Sequence, residues 1–430
     1  MVKRLGIYIH IPFCASKCSY CDFYSLAGCD HLMPAYHEAL LKHIRESSLA
    51  LGNYEIDSIY FGGGTPSFYG ADRIADILDE LKLNGNVRTD SEITVECNPD
   101  SISLNALKLL RREGVNRISL GVQEANNDLL KLIGRRHDFQ QAKKAVENAR
   151  LAGFDNISID LMYGLPSQSK TDWALALSKI IELHPEHISC YGLKLEEGTP
   201  MYENYRNSPL LPDDDEQADM YSYCVDLLAR YNYKQYEISN FAVPGFESRH
   251  NLKYWMLDDY MGFGPGAASC IGSLRYSYVK DIRRYITGVN RGSSLIEESQ
   301  NIDPLEKAVE YVMLGMRTVH GISEIDYRTK CQCEWKPVLR ALIAFRKRGW
   351  AVCEEDGRWH FTVSGFLISN ALIGLMLEAQ AGELIDEPSW LKTACEAEEK
   401  YTMSGSEEDM FADYYKASEK EPGPEEGRAE

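Results

Sequence analysis

The chain contains 430 residues, which is too long for one ordinary domain and typical of two or three. Apolar residues make up 44% of it, enough for a sizeable core, and the formal net charge is −19. This acidity argues against a general nucleic-acid binder, which needs a basic face to displace counterions. No apolar run is long enough to cross a bilayer, and the scattered cysteines do not resemble a secreted disulfide scaffold. We therefore expect a reducing, cytoplasmic compartment.

Short β-rich runs alternate with amphipathic runs over the first 195 residues. The alternation implies a parallel sheet of βαβ units, which can curl into a full or partial barrel. Strands are predicted at 6–11, 56–61, 92–96, 117–123, 156–164 and 187–195, and helices near 34–50, 71–83, 103–113, 138–152 and 171–184.

Polar residues stand at or near the carboxyl ends of four of these predicted strands. Gly62 to Thr65 follow the second strand, Glu96 ends the third, Gln123 ends the fourth and Asp160 lies on the fifth. Any strand end can be polar because a loop follows it. Four in succession nevertheless favour a functional site, since the site of a βα barrel is built at that rim.

The alternation fades after residue 200. A helix is predicted to run to Tyr231, and the segments RHNLKYW (249–255) and GFGPGAASC (262–270) look like loops. A second domain is predicted to begin with a helix capped by Asp303 and started by Pro304. Another helix covers 337–350, and a hairpin turns at Asp356-Gly357.

Four regions result from these boundaries. Residues 1–250 form the barrel core, 251–302 a connecting segment, 303–376 a small helical, winged-helix-like module, and 377–430 an acidic tail. The module's mixed charge favours a structural role over DNA binding. The tail contains 16 acidic and 5 basic residues, a net charge of −11, and is predicted to be disordered.

Three cysteines, Cys14, Cys18 and Cys21, form a C-x3-C-x2-C cluster after the first strand. A structural zinc site needs four ligands, usually two separated pairs. An iron–sulfur cubane also normally has four cysteines, so three would leave one iron open to a reactive ligand. Three unrelated thiols, or a zinc-stabilised scaffold without redox chemistry, remain alternatives on the residues alone.

The segment YFGGGTPS (60–67) follows the second strand. Its glycines let the backbone pass close to a ligand, and their amides can donate to a carboxylate. It lacks the lysine of a P-loop, which argues against nucleotide triphosphate binding.

Together with this glycine segment, the cysteine spacing resembles the radical S-adenosylmethionine (SAM) superfamily over roughly the first 250 residues. The resemblance implies a [4Fe–4S] cluster on Cys14, Cys18 and Cys21 whose open iron chelates SAM. It also places Gly63, Gly64 and Thr65 beside SAM.

A closer resemblance, to the branch of oxygen-independent coproporphyrinogen III oxidase and the HemW-type heme chaperones, covers about residues 5 to 375. It rests on GIYIHIPFC, FGGGTPS, ECNPD, SLGVQ, IGRRH, IDLMYGLP and HNLKYW. It implies that Tyr8 lies beside the cluster and SAM, and that Glu96, Gln123, Arg135 and Asp160 line the SAM pocket. The choice of Arg135 over Arg136 rests on the motif alone.

Two departures from the oxidases point to the heme chaperones. The oxidases continue the motif with a fourth cysteine where this chain has Phe23, and they carry a longer segment ahead of the motif. The resemblance also implies heme binding at RHNLKYW, with His250 as iron ligand and Asn251, Tyr254 and Trp255 around the macrocycle. A single histidine among aromatic residues is equally typical of a packed core.

The expected function is therefore that of a heme chaperone that carries a [4Fe–4S] cluster and SAM, with SAM cleavage weak or regulatory. The alternative is the decarboxylating oxidase of heme biosynthesis. The resemblance further implies recipient heme proteins, an electron donor such as a flavodoxin or ferredoxin, access to the membrane through a partner, and a homodimer. No nucleic-acid partner is expected.

Overall fold

The computed structural model describes residues 3–382. The chain divides into two compact units, Met1–Ile302 and a second that begins at Asp303. The segment 251–302 belongs to the first unit. Of the predicted tail, residues 377–380 complete the last helix, and residues 383–430 lie outside the described part of the chain.

The strands include all six of the predicted ones: the first three are longer than predicted, the fourth has the predicted bounds, and the last two are shorter. In chain order they are β1 (Lys3–Ile11), β2 (Phe13–Cys14), β3 (Leu26–Ala27), β4 (Tyr54–Gly63), β5 (Asn86–Cys97), β6 (Arg117–Gln123), β7 (Ile157–Tyr163), β8 (His187–Gly192), β9 (Lys234–Gln235), β10 (Asn240–Ala242), β11 (Tyr260–Phe263), β12 (Ala268–Ile271), β13 (Leu274–Tyr278), β14 (Ile296–Asn301), β15 (Ala351–Cys353) and β16 (Trp359–Phe361).

The helices confirm the five predicted between the first strands. In chain order they are α1 (Met33–Glu46), α2 (Ser48–Leu51), α3 (Pro66–Tyr69), α4 (Ala71–Asn84), α5 (Leu104–Arg112), α6 (Asn127–Leu132), α7 (Phe139–Leu151), α8 (Lys170–Ile181), α9 (Pro200–Tyr205), α10 (Asp214–Arg230), α11 (Arg249–Trp255), α12 (Ile282–Arg291), α13 (Pro304–Gly315), α14 (Glu324–Cys331), α15 (Lys336–Lys347), α16 (Val363–Leu367) and α17 (Ser369–Gln380). Within residues 3–382, no helix is long and apolar enough to cross a membrane.

The first unit is built on a twelve-stranded sheet of order β14-β13-β12-β11-β1-β4-β5-β6-β7-β8-β10-β9. The seven strands from β11 to β8 run parallel, and antiparallel strands extend both edges. Over the described residues the order has two free ends, so the predicted barrel is partial. The predicted α/β fold with six βα units is confirmed, and β11 is a further parallel strand.

The two faces of the parallel strands differ in polarity. Residues such as Ile7, Ile59, Ile118 and Ile159 are fully buried in the layer between the sheet and the helices. The alternate residues are mostly polar, and the register aligns them across neighbouring strands: Tyr8 with Tyr60, Tyr60 with Thr94, Thr94 with Arg117, Glu96 with Ser119, Ser119 with Ser158, and Asp160 with Ser189. Parallel strands that are covered on both faces normally read as continuous apolar runs. The polar row therefore indicates that one face surrounds a functional cavity.

Two segments predicted as loops have regular structure. RHNLKYW forms helix α11, because the Ser248 side chain accepts from the amide of Asn251 and caps it. GFGPGAASC spans β11 and β12, since β11 pairs with β1 and extends the sheet. The glycines that suggested a loop instead permit close packing: a Cβ on Gly262 would lie 2.4 Å from the carbonyl oxygen of Ala268.

The second unit contains helices α13 to α17 and one hairpin. Asp303 caps α13 in a capping box with Glu306, and Pro304 is its first residue, as predicted. Strands β15 and β16 pair antiparallel, and Gly357 has a positive φ of 80° in the predicted turn between them. This arrangement confirms the predicted helices and hairpin, but the hairpin is not terminal, because helices α16 and α17 follow it.

Candidate functional site

A cavity of about 440 Å³ lies against the polar face of strands β4 to β8 and the loop after β1. All three thiols of the cysteine cluster line it, together with most of the residues predicted to bind SAM. Four predicted residues, Tyr8, His250, Tyr254 and Trp255, are not in its lining. The predicted residues that line it are Cys14, Cys18, Cys21, Gly63, Gly64, Thr65, Glu96, Gln123, Arg135, Asp160 and Asn251.

The cysteine loop is closed at its base by a small parallel sheet. Strand β2 pairs with β3 through Phe13–Leu26 and Cys14–Ala27. The amide of Leu26 also donates to the carbonyl of Pro12 at 2.7 Å. The thiols thus lie on a loop whose two ends are tied together. Cys29, beyond this closure, does not line the cavity.

Polar groups support two of the thiols. The hydroxyl of Thr65 donates to Sγ of Cys14 at 3.4 Å, and Nη1 of Arg135 donates to Sγ of Cys18 at 3.6 Å. Burial raises the pKa of the Cys14 thiol, and the hydrogen bond from Thr65 opposes that rise. Burial likewise raises the pKa of Cys21. The hydrogen bonds from Thr65 and Arg135 favour the thiolate form, which is the form that binds metal.

The glycine segment is fastened to the cysteine loop by its backbone. The amide of Gly64 donates to the carbonyl of Ile11, and that of Thr65 donates to Phe13, both at 2.8 Å. A Cβ on Gly64 would lie 2.7 Å from the Phe13 carbonyl oxygen, so only glycine fits. The Gly64 amide, one of the glycine amides expected to donate to a ligand carboxylate, is therefore already bonded within the protein. The Gly63 amide donates to a carboxylate of the protein itself, Oε2 of Glu96, at 3.3 Å.

Two carboxylates line the cavity on neighbouring parts of its wall. Glu96 accepts from the hydroxyl of Tyr60 at 2.8 Å, and burial raises its pKa to about 7. Asp160 accepts from the hydroxyl of Ser189 at 2.8 Å and from Ser119 at 3.3 Å. Burial also raises the pKa of Asp160. Such a pair suits a cationic ligand, which would favour the ionised form of both groups.

Gln123 and Arg135 complete the wall near the thiols. Gln123 has a φ of 71°, in the left-handed region, where β6 is irregular at its carboxyl end. Strained backbone of this kind concentrates at functional sites. Arg135 donates to Oδ1 of Asn98 at 2.8 Å and to the carbonyl of Gly121. Arg136 is exposed, pairs with Asp100 at 3.4 Å and does not line this cavity.

Tyr8 does not line the cavity and contacts the cysteine loop only through a neighbouring histidine. Its hydroxyl lies 3.1 Å from Nδ1 of His10, and Nε2 of His10 lies 2.9 Å from the carbonyl oxygen of Tyr24 in the cysteine loop. Burial lowers the pKa of His10 to about 4, so the ring is neutral at physiological pH. Tyr8 therefore contacts the cysteine loop through His10 in this structure.

His250 lies in a packed polar network behind the cavity wall. Its side chain is 1% exposed, Nδ1 lies 2.9 Å from the hydroxyl of Ser58, and Nε2 lies 2.9 Å from the hydroxyl of Tyr254. Its ring stacks on Tyr60. Burial lowers its pKa to about 3. Asn251 is the residue of this motif that reaches the cavity, and Trp255 is half-buried away from it.

Several further cavity residues were not predicted from the sequence. Their signal was available as alternation within the strands: in RISLGVQ, for example, every second residue is polar or glycine. In a strand of a parallel sheet, such a polar row marks a face that does not pack against helices. Those on the strands include Tyr60, Arg117, Ser119, Ser189 and Tyr191, and Asn98 follows directly after β5.

Within residues 3–382, no three side chains of His, Cys, Asp or Glu are gathered closely enough to hold one metal ion. A tetrahedral zinc site requires such convergence. The thiols of an iron–sulfur cluster bind separate irons, and Cys14, Cys18 and Cys21 line one cavity.

Comparison with known proteins gives concordant results. The family model of the radical SAM superfamily matches residues 8–180. The heme chaperone HemW of Lactococcus lactis is 35% identical over 369 residues, which span 86% of this chain and 96% of that protein. HemW of Escherichia coli is 34% identical over 386 residues and covers 88% of this chain and 100% of its own length.

Among solved structures, coproporphyrinogen III oxidase (HemN) from Escherichia coli superposes with a TM-score of 0.76. It covers 87% of this chain and 90% of its own, at 23% identity. That similarity concerns the fold. The identity and coverage of the HemW proteins decide the family: the chain belongs to the radical SAM superfamily and, within it, to the family of the heme chaperone HemW.

Proposed function

We propose that this protein is a heme chaperone that holds a [4Fe–4S] cluster on Cys14, Cys18 and Cys21 and binds SAM in the adjoining cavity. The observation that supports it most is the union of three thiols and two buried carboxylates in one cavity of about 440 Å³. The donor set fits: thiolates suit iron, and carboxylates suit the ammonium and sulfonium charges of SAM.

The surrounding residues have distinct roles in this proposal. Thr65 and Arg135 stabilise thiolates at Cys14 and Cys18 through hydrogen bonds. Glu96 and Asp160 supply negative charge to a cationic ligand. The cluster and SAM, when bound, supply one-electron chemistry, and the protein positions groups and limits access of water. The backbone hydrogen bonds of the glycine segment hold the cysteine loop in place against the cavity wall.

Heme binding is assigned to the region of RHNLKYW. Burial keeps His250 neutral, which is the form that ligates iron. Its Nε2 is occupied by Tyr254, so ligation requires the Tyr254 hydroxyl to move away and His250 to become accessible. Asn251 already lines the cavity, and Phe23 lines it with 72% of its side chain exposed. An exposed aromatic ring at a cavity suits packing against a flat macrocycle.

The remaining assignments follow the family. We propose that the protein acts in the cytoplasm, transfers heme to recipient heme proteins, and receives electrons from a donor such as a flavodoxin or ferredoxin. Contact with a membrane through a partner, and a homodimer, belong to the same proposal.

The test is anaerobic and uses the full chain. After the cluster is reconstituted, heme is titrated into the protein, and coproporphyrinogen decarboxylation is assayed on the same sample with SAM and a reductant. Stoichiometric heme binding without decarboxylation, followed by transfer to an apo-heme protein, is the expected result. Turnover of coproporphyrinogen would instead restore the oxidase interpretation despite Phe23.

A further inference from the structure

Arg117, the first residue of β6, is a buried cation inside the partial barrel. Its side chain is 1% exposed, it lines the cavity, and its Nε is buried without a hydrogen-bond partner. A buried cation with an unpartnered N–H group is costly, so its retention requires a compensating interaction. The compensation available in this cavity is electrostatic, because the same wall carries Glu96 and Asp160.

The two carboxylates have neutral hydrogen-bond donors. Glu96 accepts from the Tyr60 hydroxyl and the Gly63 amide. Asp160 accepts from the hydroxyls of Ser119 and Ser189. Burial raises the pKa of both carboxylates, and the Arg117 guanidinium opposes the rise at both. Arg117 is thus a cation that the two groups share.

The other groups around the carboxylates cannot replace this charge. Arg135 acts on Asp160, but its guanidinium is hydrogen-bonded to Cys18, Asn98 and Gly121. The remaining titratable groups that face the two carboxylates are neutral or anionic: Tyr8, Tyr60, Tyr254 and Cys97 around Glu96, and Tyr60, Tyr191 and Cys190 around Asp160.

We propose that Arg117 is a positioning residue whose charge favours the anionic forms of Glu96 and Asp160, so that the cavity accepts a cationic ligand. Two carboxylates in one enclosed space disfavour each other's ionisation, and a nearby cation offsets this. The inference rests on the proposed function only for the identity of the ligand, SAM. The charge balance itself belongs to the cavity without any ligand.

The experiment compares Arg117→Met with the charge-conserving Arg117→Lys in the full chain. Infrared difference spectra of the protein without SAM, recorded against pH, follow the carboxylic acid band that Glu96→Gln or Asp160→Asn removes. SAM affinity is then measured from pH 6 to 9 on cluster-reconstituted protein. Arg88→Met is the control, because Arg88 pairs with Glu55 and Asp90 outside the cavity.

For Arg117→Met we expect the carboxyl midpoints, and the acid limb of SAM affinity, to move up by about one pH unit or more. Affinity at pH 7 should then fall about tenfold and recover near pH 9, while Arg117→Lys and Arg88→Met retain the wild-type midpoint. Unchanged carboxyl midpoints in a folded Arg117→Met protein would overturn the inference. Wild-type failure to bind SAM would instead count against the proposed function.

Where Arg117→Met does not fold, the double variant Arg117→Met with Glu96→Gln decides the question. Removing one carboxylate together with its countercharge should restore folding if the role of Arg117 is electrostatic. A double variant that is as unfolded as the single one would show a packing role and contradict the proposal.

Discussion

The hydroxyl of Tyr60 donates to Oε1 of Glu96 at 2.8 Å, while the ring of the same tyrosine stacks on His250 with centroids 5.2 Å apart. One side chain of β4 therefore contacts both the carboxylate of the cavity and the histidine of the proposed heme motif. The two proposed ligand regions share this contact, so changes at Tyr60 should be visible at both.

Tyr60→Phe should weaken SAM binding in a pH-dependent manner. Loss of the hydrogen bond removes a group that favours ionised Glu96, whose pKa of about 7 should rise by about one unit. Affinity for SAM at pH 7 should fall about fivefold, since a smaller fraction of Glu96 is anionic. Calorimetric titration at pH 7 and pH 9 tests this. An equal loss at both pH values would show that the effect is not protonation.

Glu96→Gln should flatten the dependence of stability on pH. The pKa of Glu96 in the folded protein, about 7, lies above its ordinary value of 4.5. The folded state therefore binds this proton more tightly, and the associated stability is present below pH 4.5 and lost as pH rises through about 7. Urea unfolding of the ligand-free protein between pH 5 and 8 should show this loss in the wild type and little of it in Glu96→Gln.

Glu80 provides a matched control, because its pKa is shifted in the opposite direction to that of Glu96. The pKa of Glu80 is lowered, chiefly by its hydrogen bond with Arg45. Glu80→Gln should therefore leave the loss between pH 5 and 8 intact. If Glu96→Gln and Glu80→Gln had the same effect in this window, the assignment of the slope to Glu96 would be wrong.

Replacing Cys14, Cys18 or Cys21 by Ala should abolish cluster binding, because each would remove one of the three iron ligands. Iron and sulfide content and the brown absorbance after anaerobic reconstitution measure it. Cys29→Ala, in a residue that does not line the cavity, should retain the cluster. A cluster of normal content in all three single variants would rule out this ligand set.

Gly64→Ala should separate the glycine segment from the cysteine loop. The new Cβ would lie 2.7 Å from the Phe13 carbonyl oxygen, so backbone must move, at a cost of about 1 to 3 kcal/mol in the free energy of unfolding. Cluster reconstitution should suffer as well. Gly374→Ala in α17 is the control: no atom lies within 4 Å of its Cβ, and we expect stability unchanged or raised by up to about 1 kcal/mol. Denaturant unfolding of both variants distinguishes these outcomes.

His250→Ala and Tyr254→Phe should have opposite effects on heme. The first removes the proposed iron ligand, so heme affinity should fall at least tenfold and the Soret band should shift. The second frees Nε2 of His250 from its hydrogen bond at 2.9 Å, so affinity should hold or rise. Absorption titrations of both variants, with cluster content as the folding control, test the pair. Unchanged heme spectra and affinity in His250→Ala would remove His250 as the ligand.

Much of this protein was predictable from local sequence. Strand and helix positions follow from apolar periodicity, and the C-x3-C-x2-C spacing singles out the three thiols that line the cavity. Asp303 and Pro304 predict the start of α13 correctly, because capping depends on residues that are adjacent in the chain. These are properties of short segments, which carry their own conformational preferences.

Other features depend on contacts between distant segments. The glycines of 262–270 suggested a loop, yet β11 pairs with β1, some 250 residues earlier in the chain. His250 looks like an available ligand in the sequence, whereas packing against Ser58 and Tyr254 buries it. The alternation in RISLGVQ places Arg117 on the polar face of β6, but it becomes the shared cation of Glu96 and Asp160 only when strands β5, β6 and β7 align. Burial and electrostatic energy depend on distances through space, so only the tertiary structure decides them.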